Sequence, residues 1–179
     1  MIYFPRVKLN KDYINVEFTR DEDALCDFFV ESITSTLPEN IIFKTQKGIT
    51  AKNINSLDYL EVYLNIPLFS ERFVGACDDL LKGDMEFYTC KVDCDGREYS
   101  WFVGKSLVVA DLVNSEASSF RGRPPNVMIE MPPVFNKNLP DFYFARDTEY
   151  RDTLIVSEKL RSVVESKKLA VDFYELRQA

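Results

Sequence analysis

The sequence predicts a single α+β domain over residues 1–179: a mostly antiparallel sheet with a few packed helices, containing a duplicated Ser-Glu-capped helix–strand unit. Three observations predict it. Asp95-Gly96 lies between two alternating runs, and such a pair suits a two-residue type I′ turn because both central residues must tolerate positive φ. Ser70-Glu71 stands before an apolar stripe of helical period, Phe73, Val74, Cys77, Leu80 and Leu81, where a serine can accept from first-turn amides. A second Ser-Glu helix and strand then recurs near the C-terminus, so residues 68–103 and 154–176 read as two copies of one unit.

Taken in order, Ile2–Leu9 and Tyr13–Phe18 read as strands, the second alternating polar and apolar faces. Thr19-Arg20-Asp21-Glu22 has capping-box spacing and predicts a helix to about Ser32 with Leu25, Phe28, Phe29 and Ile33 on its stripe. Pro38 breaks the chain, Ile41–Thr45 reads as a short strand and Lys47-Gly48 as a turn. Between Asn53 and Asn65 two periods compete: Leu57, Leu60 and Leu64 fit a helix, whereas Leu60, Val62 and Leu64 also alternate as a strand. The helix is preferred, with Pro67 ending it.

The hairpin turn sets the register of the next pair. Cys94 faces Arg97, Val92 faces Tyr99, Cys90 faces Trp101 and Tyr88 faces Val103 on the core side, with Glu86 and Lys105 paired at the open end. Thr89, Lys91 and Asp93 against Phe102, Ser100 and Glu98 make the other, mostly polar face. Gly83 suits the end of the preceding helix. Leu107–Ala110 reads as a strand and Asp111–Ser119 as a polar loop or helical turn. Phe120–Pro140 holds five prolines and reads as an extended path over the core, with Val127–Glu130 its one strand-like piece. Phe142–Arg146 is a predicted strand, Thr148–Thr153 a charged loop.

The C-terminal unit repeats the first closely. Ser157-Glu158 matches Ser70-Glu71, Leu160, Val163 and Val164 match the stripe, and Val171-Asp172-Phe173-Tyr174 matches Met85-Glu86-Phe87-Tyr88. Ser70 to Phe87 spans 17 positions and Ser157 to Phe173 spans 16. Two copies are too few for a solenoid. This pattern, a hydrophobic pair, Ser-Glu-Arg/Lys, a short helix and an apolar-acid-Phe-Tyr strand, resembles the eleventh-type immunity protein family (Imm-eleven) of bacterial polymorphic toxin systems. The stretch from Leu107 to Glu116, the Gly122-Arg123-Pro124 turn and the Phe142–Arg146 strand are also similar to that family, and the resemblance covers about Tyr59 to Leu176. It implies an immunity protein that binds and neutralises a cognate toxin domain by occluding its active site.

Composition bounds the alternatives. With 46% hydrophobic and 28% charged residues the chain is an ordinary globular one, long enough to bury a core without staples. No apolar run reaches the length of a signal peptide or membrane span, which implies a soluble cytoplasmic protein. Cys26, Cys77, Cys90 and Cys94 occupy core-like positions and are expected as free thiols. The net charge of −7 argues against a nucleic-acid binder and suits a partner with basic surface, although such a charge also serves solubility alone.

Histidine is absent, so Ser-His-Asp and Cys-His relays cannot be built. Cys90 and Cys94 are spaced as core fillers on one strand face, no glycine-rich phosphate loop is present, and no cofactor or metal is expected. Ser70 and Ser157 are explained by capping, without a catalytic role. The Phe and Tyr residues are not interleaved with basic ones as an RNA-stacking surface would need, so most are core, with Tyr63, Tyr143 and Tyr150 as interface anchors.

The partner is thus expected to be a toxin effector domain, met by a non-enzymatic acidic surface on a monomer or weak homo-oligomer. The expected contacts are the hairpin's outer face and tip, Asp93, Asp95 and Glu98, and the Asp147–Asp152 loop with Glu149, Tyr150 and Asp152. Two other classes compete: a carboxylate-dependent enzyme, which needs a pocket with two or more inward acids of perturbed pKa, and a structural protein that self-associates through sheet edges.

Overall fold

The computed structural model describes residues 1–8, 15–46, 48–123 and 126–179. Its elements are β1 (Ile2–Val7), β2 (Asn15–Phe18), α1 (Glu22–Phe29), β3 (Ile42–Thr45), α2 (Ala51–Ser56), β4 (Tyr59–Val62), β5 (Ile66–Phe69) and α3 (Glu71–Leu81). Then follow β6 (Met85–Cys94), β7 (Arg97–Ser106), β8 (Val109–Ala110), β9 (Phe120–Arg123), β10 (Asn126–Ile129), β11 (Phe144–Asp147), β12 (Leu154–Ser157), α4 (Glu158–Ser166) and β13 (Val171–Glu175). The fold is α+β, with mostly antiparallel pairing.

Two sheets carry the architecture. Strands β2-β3-β6-β7-β5-β4 close into a barrel, in which β2–β4 and β3–β6 are the parallel pairs. Strands β13-β1-β12-β11-β8 form an open sheet, and β9–β10 a separate two-stranded arm. Leu60, Ile66, Leu68, Val92 and Val103 fill the barrel, which α1 covers with Phe28 and Phe29. A second core binds barrel to sheet: Phe73, Cys77 and Leu81 of α3 join Leu160 and Val164 of α4 around Phe69 and Phe144. At about 1.5–3 kcal/mol per fully buried large apolar side chain, this shared core is the main force holding the two layers together.

The two Ser-Glu units have matching topologies. β5–α3–β6 places its two strands on either side of β7, and β12–α4–β13 places its strands on either side of β1, with the central strand antiparallel to both in each case. Each unit is a strand–helix–strand crossover split by one inserted strand. The first lies in the barrel wall and the second in the open sheet, and their helices meet in the shared core.

The hairpin pairs in the expected register from Met85↔Ser106 to Cys94↔Arg97. Asp95 and Gly96 have φ of 54° and 81°, as a type I′ turn requires. Helix α3 begins at Glu71, with Ser70 Oγ accepting from Phe73 N at 3.1 Å.

Several expectations are corrected. The preferred helix over Asn53–Asn65 is three pieces: α2, capped reciprocally by Thr50 and Asn53, then β4, then a 3₁₀ turn over Tyr63–Asn65. Leu60 and Val62 point into the barrel, and their pairing with Leu68 and Ile66 outweighs the helical spacing of the leucines. Pro67 therefore lies within β5, opposite Glu61, and ends no helix. The Thr19–Glu22 capping box does not form: Thr19 Oγ1 donates to Ile42 O at 2.6 Å, and Asp21 makes no side-chain cap bond. Helix α1 stops at Phe29, and Ile33 is 73% exposed.

Ser157 occupies the N-cap position of α4 but makes no capping bond. Its Oγ is buried without a partner, and the first amide of the helix, Glu158 N, donates to Met1 O at 3.1 Å. The path over Phe120–Pro140 contains a hairpin, pairing Phe120↔Ile129 through Arg123↔Asn126. The predicted strand residues Leu9, Tyr13 and Ile14, the turn residue Lys47 and the Pro124 end of the Gly122-Arg123-Pro124 turn lie outside the described residues. Among the described residues, no helix is long and apolar enough to cross a membrane.

Candidate functional site: an interaction groove on the hairpin face

The long hairpin presents its outer face beside the segment Leu37–Ile42, and the two enclose a groove of about 730 Å³. Thr89, Lys91 and Glu98 form one wall, Glu39 and Asn40 the other, with Arg20 beside them. The walls are far apart in sequence and are joined by the parallel pairing of β3 with β6. Three bonds hold the second wall in place: Lys91 N to Ile41 O at 2.9 Å, Thr19 Oγ1 to Ile42 O at 2.6 Å, and Arg20 Nη2 to Asn40 O at 2.9 Å. Lys91 Nζ reaches Ser100 Oγ at 2.8 Å across the face.

The groove mixes charges, where an acidic face was expected. Denser negative charge lies on α1: the Cys26 thiol is pushed up by burial and by the surrounding carboxylates of Glu22, Asp23, Asp27 and Glu31. Cys90, at the groove, has its thiol pushed up by burial, which keeps it in the unreactive protonated form. Arg20 and the Leu37–Asn40 wall carried no local sequence signal, since only tertiary pairing brings them to the hairpin.

The residues expected at the interface divide into three groups. Asp95 and Glu98 are exposed at the tip and outer face, whereas Asp93 is half-buried and spends Oδ1 on the Gly96 amide at 2.8 Å, closing its own turn. Glu149 and Asp152 are exposed on the loop after β11. Asp147 is corrected outright: it is buried, with Oδ2 accepting from Leu112 N and Val113 N at 2.8 and 2.9 Å and Oδ1 from Glu149 N and Tyr150 N at 2.8 and 2.7 Å. It organises the loop and offers no contact to a partner.

Tyr150 is half-buried against the core that contains Leu112 and Phe135, Tyr143 is half-buried against the shared core, and Tyr63 is 66% exposed. The loop and the hairpin tip form no common patch. Asn65 Nδ2 binds Asp152 O at 2.7 Å, and β5 begins at the next residue and pairs near the open end of the hairpin. The tip lies roughly 25 Å further along β7 at about 3.3 Å per residue.

Two other polar clusters gather around carboxylates largely withdrawn from solvent, each met by an exposed arginine. Asp58, buried between the units, accepts from Ser70 Oγ at 2.5 Å, Arg72 Nε at 2.9 Å, Arg72 Nη2, and the Ala170 amide at 2.5 Å. Burial pushes its carboxyl up, but the bonds from Arg72, Ser70 and Ala170 outweigh it and hold the carboxyl below the usual range. Ser70 is thus both a helix cap and a donor to Asp58, on the structural side of the molecule. The second cluster lines a cavity of about 190 Å³ with Arg6, Tyr59 and Glu61. Burial raises the Glu61 carboxyl against the opposing pull of Arg6, whose Nη1 lies 3.7 Å from Oε1. Among the described residues, Glu61 is the one carboxylate lining that cavity.

No protein-family model matches the chain, and no curated protein matches it in sequence.

Proposed function

We propose that this protein is a cytoplasmic immunity protein, which binds the catalytic domain of a cognate bacterial toxin and blocks it without turnover. The observation that carries the reading is the hairpin's exposed outer face and tip, rigidly braced on a closed barrel and bordered by a groove of mixed charge. Such a surface suits recognition, because a preorganised face loses little entropy on binding. The overall charge of −7 favours encounter with a basic partner, and Asp95 and Glu98 set orientation at the contact. The repeated Ser-Glu units, from which the resemblance to immunity proteins arises, act as scaffold. Their helices face the shared core, and Ser70 is committed to Phe73 N and Asp58.

The test is co-purification with the C-terminal domain encoded by the gene immediately upstream. A stoichiometric complex is expected, weakened at least tenfold by Asp95→Lys with Glu98→Lys. Absence of a complex, together with no protection of cells that express that domain, overturns the proposal.

A further inference from the structure

Among the described residues the open sheet leaves the five residues of β13 without an outer strand partner, and just beyond them Phe135 already takes Arg177 O and Ala179 N at 2.9 Å each. β13 pairs with β1 on one side, and among the described residues no strand pairs with the other. At the opposite edge β8 has two residues, and closure removes the edges of the barrel.

The pairing fixes which β13 groups face outward. Leu176 N donates to Ile2 O at 3.1 Å, so Ile2 and Leu176 are a hydrogen-bonded pair, and in an antiparallel ladder such pairs recur at every second residue. Phe4↔Tyr174 and Arg6↔Asp172 are then the next two, and Pro5, which has no N–H, falls opposite Phe173 at a position that needs none. The carbonyl of Val171 and both the N–H and C=O of Phe173 and Glu175 therefore point away from β1. Val171 N is already used, donating to Leu169 O at 3.0 Å.

Beside this edge runs a groove of about 840 Å³, with Arg161 and Glu165 of α4 on one wall and Lys168 to Phe173 along the other. Its floor is held: Arg161 donates to Tyr3 Oη at 2.8 Å and to Glu165 Oε1 at 2.9 Å.

We infer that β13 and α4 form a peptide-binding site, in which an extended segment of a partner protein adds to the open sheet as a sixth strand. Main-chain complementarity supplies the affinity, and alternate side chains of the segment enter the groove against Phe173, Leu169 and Lys168. A second copy of this chain is a poor occupant: two-fold pairing of β13 with itself puts both α4 helices on the same face, competing for one groove. The site is separate from the hairpin groove and does not depend on the immunity reading.

The test is selection from a displayed library of random dodecapeptides, followed by Kd measurement on wild type, Glu175→Pro and Glu175→Ala. Proline removes an outward N–H that β1 does not use, whereas alanine keeps it. Selected peptides should bind wild type and Glu175→Ala alike and lose at least tenfold on Glu175→Pro. On wild type, bound peptide should slow hydrogen exchange at the Phe173 and Glu175 amides, a readout that survives if the proline variant fails to fold. No enriched peptide, binders that leave those two amides unprotected or are indifferent to Glu175→Pro in folded protein, or a wild-type dimer that Glu175→Pro dissolves would each overturn the assignment.

Discussion

Replacing Asp58 should expose how the two Ser-Glu units are joined. Its carboxylate accepts from the helix cap Ser70, from Arg72 and from the amide that leads into β13, so one buried group links the start of α3 to the second unit. Asp58→Ala leaves the Ser70 hydroxyl and the Ala170 N–H without acceptors, at about 1–3 kcal/mol each. Arg72 adds little to this cost, because its side chain is 60% exposed and water can replace the lost partner. The expected loss is about 3–5 kcal/mol for alanine. Asp58→Asn, which keeps one acceptor oxygen but turns a donor towards existing donors, should lose about 2–3 kcal/mol.

The pH dependence follows from the lowered carboxyl. A group whose folded pKa lies below its unfolded value of about 3.9 contributes its full stabilisation above that value and loses it as pH falls towards the folded one. The gap between wild type and Asp58→Asn in urea unfolding should therefore be full at pH 7, begin to close below about pH 5 and go on narrowing as the pH falls further. A gap under 1 kcal/mol at neutral pH, or one that does not narrow in acid, refutes the assignment of Asp58 as an ionised link.

Other expectations concern single side chains. Ser70→Ala should cost about 2 kcal/mol for a lost cap and a lost donor, while Ser157→Ala should be neutral or stabilising because its buried hydroxyl has no partner; equal shifts in urea midpoint would contradict this. Arg146 is buried, its guanidinium donating to Leu64 O, Asn65 O and Arg151 O, and burial brings its pKa down to about 10. Arg146→Met should cost about 3–5 kcal/mol and speed hydrogen exchange around residues 64–66, where Leu64 and Asn65 hold positive φ; unchanged exchange there would refute the bracing role. Gly104→Ala would put a Cβ 2.7 Å from both Met85 Sδ and Phe69 Cε2, so a thermal scan should show a loss of about 1–3 kcal/mol, and an unshifted melt would mean that the site is looser than described.

What the sequence determined by itself is whatever rests on near neighbours. The hairpin register follows from one Asp-Gly turn and a period of two, and α3 follows from a capping serine and a period near four. Both survive because the barrel and the shared core reward the same faces that the local pattern selects. Where local signals were balanced or partners were distant, tertiary structure decided. Leu57–Leu64 fits two periods equally, and barrel closure chose the strand. Asp147 and Glu149 are both loop carboxylates in sequence, yet four backbone amides converge on the first and water surrounds the second. Ser157, like Ser70, precedes a glutamate and a helical stripe, yet its hydroxyl caps no amide, and Met1 O takes the first amide of its helix. In each case a group dozens of residues away takes part, β2 beside β4, Leu112 and Val113 at Asp147, and Met1 at α4, and such contacts are not written in the local pattern.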